Sequence, residues 1–491
     1  MINNKWLDGS EKLCFAVIII FTIYCVFMQP IVGLANNGDF QRFSLTFGID
    51  FPFNIWDLSD TEHRNMALFQ RVFNGYAVVE PKNTSYFTTY TLIGWISRGV
   101  CAVLSKTGLY DIRYLGGLTA AFVLFAAWSI IKTARSYSPA ARIAVISVLL
   151  VLLTDPFYVQ YYNSFFTEQS FFCYGLIFVA AFLRNCRTRS KSSLFIEITA
   201  LSLLIFSKTQ NVVVIIPGLA AIILQQYILN SWKQQKREVL FAAWLIVMEC
   251  TILGSIKSHQ PDHPDIPVLD PQIATYNVVM GRLLRVSDDP VRHLTQMGFD
   301  SVKVEKIKGN IGNSAYVNTF SSDNLGIYKK LRSIHNELRM IGREPSLVFK
   351  SLKDIQNSLY RDVDYLANFQ SAELAHRKTS LLSFHNGILS KALPRNYVCL
   401  FGVMLTGMLI SLIWAFRYRD PRLLIIAMLS SSVILMYTAV ALGDGWENEK
   451  HLHAVNLLSG IVHIYVLLLF CWAGVRWLKR RLKRSAVNSR L

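Results

Sequence analysis

The sequence predicts an all-α polytopic membrane protein with about ten transmembrane helices. Of its 491 residues, 52% are hydrophobic and 13% are aromatic, and the mean hydropathy is +0.33. The apolar residues lie in long blocks and do not alternate with polar ones, which is typical of membrane proteins. Blocks such as Leu13 to Val32 and Tyr397 to Phe416 hold roughly 15 to 20 residues almost without charge, about the length that a helix needs to cross the hydrocarbon core.

The basic residues predict how these helices are oriented. Lys and Arg cluster in alternate loops, at 132–142, 184–191, 233–237 and 417–422, and again in the tail at 476–484. Such loops are cytoplasmic by the positive-inside rule, so both termini are predicted to be cytoplasmic. The predicted spans cover residues 13–34, 113–131, 140–154, 170–183, 194–207, 211–229, 239–256, 397–416, 423–442 and 453–475.

One further apolar segment does not fit this alternation. Tyr86 to Ser105 is apolar but contains Arg98. A span here would place every later basic loop on the outside, against the positive-inside rule. We therefore predict a juxtamembrane helix that lies in the membrane interface.

The spans divide the chain into three parts. These are an N-terminal membrane module at 1–256 with a first outer loop at 35–112, a mainly helical outer domain at 257–396, and a C-terminal membrane module with a basic tail at 397–491. The outer domain is long enough to have a core of its own. Its residues predict an extended linker at 259–271 and helices at 346–366 and 371–382.

Charge and cysteine content exclude several classes of function. The formal net charge is +18, but the basic residues lie in short loops between apolar spans, where membrane anchoring explains them better than nucleic-acid binding does. All eight cysteines lie in or beside apolar segments, without the spacing of metal ligands, so no disulfide framework or zinc site is predicted. The chain shows no loop typical of soluble nucleotide binding.

Four polar clusters interrupt the apolar pattern, and the predicted topology places all of them on the outer face. They are Asn36 to Arg42, Asp155 to Gln169, Ser207 to Asn211 and Gly443 to His453. Taken singly, each has an ordinary explanation; Asp39, for example, is suited to cap a helix that begins near Phe40. A lysine in the short outer turn at 208 opposes the positive-inside bias and predicts an anionic partner. Their coincidence on one face indicates a functional site.

Short motifs within these clusters, and one in the outer domain, resemble those of a known superfamily. The chain resembles the GT-C glycosyltransferases, and most closely bacterial hexose transferases of surface-glycan assembly and the phage and bacterial serotype-converting O-antigen glucosyltransferases. The motifs are Gly38-Asp39-Phe40-Gln41-Arg42, Asn163 to Glu168, the turn with Asp444, Glu447, Lys450 and His451, and Ser287-Asp288-Asp289-Pro290.

The resemblance implies an inverting transfer of a hexose, with glucose preferred, from undecaprenyl phosphate to a lipopolysaccharide O-antigen. The reaction would take place on the periplasmic face of a bacterial inner membrane. The other partners expected are the bilayer, a flippase and a donor-synthesising enzyme, without nucleic acid. Asp39 would be the catalytic base and Glu168 a second acid. The expected phosphate ligands are Arg42, Lys208, Lys450 and His451, and the expected substrate ligands are Asn163, Asp288, Asp289, Asp444 and Glu447, with Arg292 as a further candidate.

The sequence leaves several questions of chemistry and function open. No cofactor is expected, although a divalent cation between Asp39 and Glu168 is an alternative because paired acids bind such ions. A lipid-linked-sugar flippase or transporter would also place charges at one membrane face. A GT-C enzyme that acts on protein or lipid A, or a noncatalytic scaffold, would fit the same pattern of spans and clusters.

Overall fold

Helices make up most of the structure, a computed structural model that describes residues 4–53, 72–82, 88–258, 275–312, 330–331, 333–361, 363, 391, 393, 395–443, 445 and 448–488. A helix overlaps every segment predicted as a span. The helices are α1 (Asn4–Phe27), α2 (Phe40–Ser44), α3 (Tyr90–Leu104), α4 (Arg113–Ala134), α5 (Pro139–Leu153), α6 (Pro156–Val159), α7 (Gln169–Thr188), α8 (Lys191–Ile205), α9 (Ile215–Ile228), α10 (Trp232–Ser258), α11 (Leu284–Val286), α12 (Pro290–Gln296), α13 (Ser301–Lys308), α14 (Ile334–Arg343), α15 (Ser346–Ile355), α16 (Tyr397–Tyr418), α17 (Leu424–Gly443), α18 (Asn448–His451) and α19 (His453–Asn488).

The chain is a membrane protein, and six helical segments in its described part are long and apolar enough to cross a bilayer. They contain α1, α4, α7, α9, α16 and α17. Helices α3 and α5 and the first part of α19 are apolar but shorter. The count of about ten spans therefore stays a prediction, as does the placement of α3 in the membrane interface.

The first span differs from its predicted bounds, 13–34, because polar residues extend it at one end and a proline ends it at the other. The described part of helix α1 starts at Asn4, and its Asp8 and Glu11 pair with Arg142 of α5, at 2.7 Å for the Glu11 carboxylate. It ends at Phe27, shortly before Pro30, whose ring disfavours helix in the preceding residue. The chain then continues in extended form toward the first polar cluster.

A small sheet in the segment predicted as the first outer loop corrects the all-α prediction. Its strands β1 (Ile49–Asp50), β2 (Gly75–Val78) and β3 (Tyr110–Asp111) pair antiparallel in the order β1-β2-β3. Strands of two to four residues are too short to show the alternation that predicts a strand. The sheet packs on aromatic side chains, and Tyr76 stands edge-on to Phe165 at 4.9 Å between ring centroids.

The long helices pack side by side so that the bundle has two distinct polar ends. Helix α7 packs on α4 and α8, α17 packs on α9, α16 and α19, and α1 packs on α4 and α5. At one end, here called the basic end, buried Arg142 and half-buried Arg135 bind Glu11 of α1. At the opposite end, here called the site end, the loops carry the four polar clusters.

Residues 275–312 and 330–363, as far as they are described, form a unit at the site end that we call the cap. Its small apolar core is separate from that of the bundle and includes Val279, Leu283, Leu294, Ile307, Met340 and Leu347. Helix α15 joins the two, since Leu352 and Ile355 lie in the main core and the Tyr437 hydroxyl donates to the Leu352 carbonyl at 2.7 Å. The helix predicted at 346–366 ends at Ile355, followed by a 3-10 turn at Gln356–Ser358. The linker predicted at 259–271 and the helix predicted at 371–382 lie outside the described residues.

Substitution of Gly33 tests how closely the segment after α1 packs on the loop before α7. A Cβ at Gly33 would lie 2.6 Å from the Asn163 carbonyl oxygen and 2.9 Å from a methyl group of Val72, whereas a Cβ at Gly99, on the exposed face of α3, would meet nothing within 4 Å. We expect Gly33→Ala to destabilise the protein by about 1–3 kcal/mol through overpacking. Gly99→Ala should be neutral or stabilising by up to about 1 kcal/mol, because alanine favours helix. Thermal unfolding in detergent measures both, and equal losses would contradict this packing.

Candidate active site

Four segments that are distant in the sequence bring ionisable side chains together at the site end. Asp39 and Arg42 come from the segment after α1, and Glu168 directly precedes α7. Lys208 lies in the turn after α8, and the short helix α18 carries Lys450 and His451. The structure thus unites six residues that the sequence predicts as base, second acid and phosphate ligands.

Asp39 is held by cations and does not cap a helix. Its carboxylate accepts from the Lys450 ammonium at 2.5 Å and lies 3.3 Å from a guanidinium nitrogen of Arg42. It occupies the N-cap position of α2, yet it accepts no hydrogen bond there. Asn36 caps instead, because its side-chain oxygen accepts from the backbone N–H of Phe40 at 3.1 Å. The interpretation of Asp39 as a helix cap is therefore wrong.

Glu168 is the anion of a second, more deeply buried pair. The Lys208 ammonium donates to its Oε1 atom at 2.5 Å, and the exposed fractions of the lysine and glutamate side chains are only 7% and 6%. His451 joins this pair, since its Nδ1 atom lies 3.8 Å from Glu168 Oε1 and 3.5 Å from Lys208 Nζ. Lys450 and His451 are consecutive, so α18 connects the two ion pairs.

Both carboxylates are stabilised in their ionised form. Burial opposes ionisation of Asp39, but the charges of Lys450 and Arg42 hold its pKa well below the ordinary value. Burial likewise opposes ionisation of Glu168, whose pKa is nevertheless lowered by Lys208, Lys450 and His451. A carboxyl group with a lowered pKa is deprotonated at neutral pH and remains so into the acidic range.

Among the residues that the structure describes, the cluster carries more positive than negative charge. Asp39 and Glu168 contribute two negative charges, and Arg42, Lys208 and Lys450 contribute three positive ones, before any charge on His451. Aromatic rings line it: the Lys450 ammonium lies 4.9 Å from the Phe166 ring centroid, and Phe40 stands edge-on to Phe166 at 4.7 Å. Because rings exclude water, electrostatic interactions here are stronger than at an exposed surface. The excess of cations suits the cluster to an anionic ligand.

The remaining predicted site residues have different surroundings. The buried Asn163 amide donates to the carbonyl oxygens of Val26 at 3.1 Å and Val32 at 2.8 Å, so it braces the end of α1 rather than facing an open site. In the cap, Asp288 pairs with Lys350 at 2.5 Å. Asp289 caps α12 by accepting from the Arg292 N–H. Asp444 and Glu447 lie outside the described residues.

A divalent cation between Asp39 and Glu168 does not fit the geometry of the cluster. Each carboxylate is already bound to a lysine ammonium, whereas a divalent cation needs several oxygen ligands free of competing positive charge. Among the described residues, no group of three or more His, Cys, Asp or Glu side chains is placed to hold a metal ion.

An apolar cavity of about 780 Å³ lies between the helices, and none of the six charged cluster residues lines it. It begins at Phe171 and Phe172, about one turn into α7 from Glu168, and extends to Tyr137 and Arg422 at the basic end. Leu152 of α5, Val179 of α7, Leu429 of α17 and Leu457 of α19 are among the residues that line it. The sequence does not predict this cavity. Hydropathy identifies an apolar span, but it does not show which of its apolar side chains face a cavity and which face lipid or another helix.

The fold and the cluster together define a polytopic helical membrane protein with a charged site at one end of its bundle. The chain belongs to the family described as the YfdI N-terminal transmembrane domain, whose model matches residues 2–488. No curated protein matches the sequence.

Two solved structures from Archaeoglobus fulgidus are similar to the chain. One is the archaeal oligosaccharyltransferase AglB in complex with an inhibitory peptide and a dolichol-phosphate, at 12% sequence identity and a TM-score of 0.39. The other is an oligosaccharyltransferase in the apo form, at 12% identity and a TM-score of 0.40. Each comparison covers 96% of this chain and 52% of the other, so the chain spans about half the length of these proteins.

The buried pair of Glu168 and Lys208 makes a prediction for stability. We expect Lys208→Met to destabilise the protein by about 3–5 kcal/mol, because it leaves a buried carboxylate without its partner. The double variant Glu168→Gln/Lys208→Met should recover most of this loss. Lys191→Met is the matched control, since Lys191 is 72% exposed in its pair with Glu238 and such pairs contribute at most about 1 kcal/mol. Thermal unfolding in detergent compares them, and similar losses for the two lysine variants would contradict the assigned burial.

Proposed function

We propose that the protein is an inverting glycosyltransferase that moves a hexose from a polyprenyl-phosphate donor to a saccharide acceptor at the membrane surface. The observation that carries the proposal is the cluster itself, in which two ionised carboxylates are combined with an excess of cations among the described residues. The lining of an apolar cavity begins about one turn further into α7. A carboxylate suits proton abstraction from a hydroxyl group. Cations suit a departing phosphate, and an apolar cavity suits a prenyl chain.

The transfer is a single displacement at the anomeric carbon. The acceptor oxygen forms its bond to that carbon from the side opposite the phosphate, so the configuration inverts. The bond from the carbon to the phosphate oxygen breaks, and its electron pair leaves with the polyprenyl phosphate. The acceptor proton passes to the carboxylate of Asp39. Glu168 orients the sugar or the acceptor and holds Lys208 in place.

The charges at the site favour this sequence of events. The donor phosphodiester carries one negative charge, which balances the excess positive charge of the cluster, and the phosphate gains a second as it leaves. Lys450, Lys208, Arg42 and His451 are placed to stabilise that charge as it develops. When the phosphate draws Lys450 away from Asp39, the pKa of Asp39 rises, since one of the charges that lower it is lost. The donor thereby makes its own catalytic base stronger.

The finer assignments rest on the resemblance of the motifs around Asp39 and Glu168. They favour undecaprenyl phosphate as the carrier, glucose as the hexose and O-antigen of lipopolysaccharide as the acceptor. The protein would then lie in a bacterial inner membrane with this site in the periplasm, and would depend on a donor-synthesising enzyme and a flippase. The extension of the cavity to the basic end also suits a flippase for a lipid-linked sugar, which is the second candidate.

Replacement of Asp39 tests the catalytic base. We expect Asp39→Asn to lower transfer of radiolabelled glucose from undecaprenyl-phosphate glucose to lipopolysaccharide by about 10²–10⁴-fold, the range typical of general-base loss. Asp300→Asn is the matched control, because Asp300 caps α13 in the cap and asparagine caps equally well. The assay uses membranes with equal amounts of each variant. Transfer by Asp39→Asn at the wild-type rate would exclude this role and favour the flippase.

Narrowing of the cavity tests the binding of the prenyl chain. Gly175 lines the cavity, and a Cβ there would meet only the Phe171 ring at 3.8 Å. We expect Gly175→Leu to raise KM for a long-chain donor roughly tenfold or more, because the larger side chain displaces prenyl units worth about 0.8 kcal/mol for each CH₂ group. A donor with a short chain should be affected less.

The matched control for this test is Gly402→Leu. Gly402 lies on an exposed face of α16, and a Cβ there would meet nothing within 4 Å. Its KM should be unchanged for both donors. If Gly175→Leu and Gly402→Leu gave the same KM values, the prenyl chain would have to bind elsewhere.

A further inference from the structure

The cap holds the helix that carries two of the cationic side chains. Arg282 of the cap donates through Nη2 to the Asn448 side-chain oxygen at 2.7 Å, and Asn448 is the first residue of α18. The Ser358 hydroxyl donates to the Glu449 carboxylate at 2.7 Å. Just before α18, Gly445 lies so close to the Asn277 carbonyl oxygen that a Cβ would be only 2.1 Å from it. The cap therefore contacts α18 and its approach at three points.

Helix α18 depends on such contacts for its orientation. It contains four residues, Asn448–His451, and a helix of one turn is unstable without tertiary contacts. Lys450 and His451 must nevertheless point into the cluster, where they reach Asp39 and Glu168. The two residues before them, Asn448 and Glu449, are bound by the cap. One face of the turn is thus fixed by the cap, and this directs the other face to the cluster.

Arg282 occupies an unusual position for a charged residue. It is fully buried and lies in a single π-helical turn, Val279–Leu283. Such turns are rare in proteins as a whole, but those that occur are often found at functional sites. Its Nη1 atom is 4.0 Å from the Asp354 carboxylate, but the close ion pair of Asp354 is with Arg285. A buried guanidinium group is costly, and its Nη2 atom makes a hydrogen bond to Asn448 of α18.

We infer that Arg282 is a positioning residue for the transfer reaction. Through Asn448 it sets the orientation of α18, so that Lys450 and His451 meet the departing phosphate. The inference rests on the proposed function. It assigns an indirect role in the reaction to a residue of the cap that touches no reacting atom. Loss of the contact leaves both cations in place but misaligned, and misplacement by about 1 Å is enough to slow a reaction by roughly 10².

The test compares two arginines that are three residues apart. We expect Arg282→Met to lower kcat roughly 10- to 100-fold with a smaller change in donor KM, because the cations contribute most as charge develops on the phosphate. Arg285→Met is the matched control, since Arg285 binds Asp354 and has no described contact with α18. Its kcat should equal that of wild type. Equal kcat values for the two variants, in an assay where wild type transfers glucose, would overturn the inference alone.

The partner residue separates positioning from folding. Asn448→Asp keeps an oxygen for Arg282 and should retain most of kcat, whereas Asn448→Leu should lose as much as Arg282→Met. The double variant Arg282→Met/Asn448→Leu should lose no more than either single variant, because both remove one contact. Independent, multiplicative losses would overturn the inference. If Arg282→Met does not fold, the two Asn448 variants decide. Absence of transfer by wild type would instead overturn the proposed function.

Discussion

The ion pair between Lys450 and Asp39 joins residues that are 411 positions apart in the chain, and the geometry of the whole site end depends on it. Buried charges of this kind persist only when partners compensate them. The pairs of Asp39 with Lys450 and of Glu168 with Lys208 therefore require the segments after α1, before α7 and after α8 to meet at α18.

The two ends of the bundle both contain cationic side chains that are paired with acids, but the balance of charge differs between them. At the basic end, acids of α1 form ion pairs with Arg142 and Arg135, and these pairs hold the helices together. In the described part of the cluster at the site end the cations exceed the acids, and an apolar cavity lies between the helices. A cluster with surplus charge next to an apolar cavity suits a ligand with an anionic head and a long hydrocarbon tail. That combination is the physical basis for a lipid-phosphate donor.

The cap contributes to the geometry of the site by holding helix α18. Lys450 and His451 of α18 face the cluster. The two residues before them, on the same turn, are bound by Arg282 and Ser358 of the cap. The cap is therefore bonded to the helix that carries the cations and is not simply a cover. This arrangement explains why a fully buried arginine is found in a region that is otherwise joined to the bundle through α15.

Much of the candidate site could be predicted from the sequence because membrane topology sorts polar residues by side. The predicted topology assigns one face to Asp39, Arg42, Glu168, Lys208, Lys450 and His451, and the structure brings them together. The motif around Asn163 also predicts a place in the site for that residue, but its amide braces α1. Neighbouring residues of a motif can point in opposite directions, and only the packed backbone shows which of them faces the site.

The sequence by itself determined the membrane class, the approximate positions of the long apolar helices and the grouping of the charged clusters at one end of them, because hydropathy and charge bias are properties of local segments. Only the tertiary structure decided that Lys450 binds Asp39, that Lys208 binds Glu168, that Asn36 rather than Asp39 caps α2, and that Arg282 holds α18. It also decided where the apolar cavity lies and that short strands cross the first outer loop. These features depend on contacts between segments far apart in the chain, and side-chain direction at such contacts is set by packing rather than by local pattern.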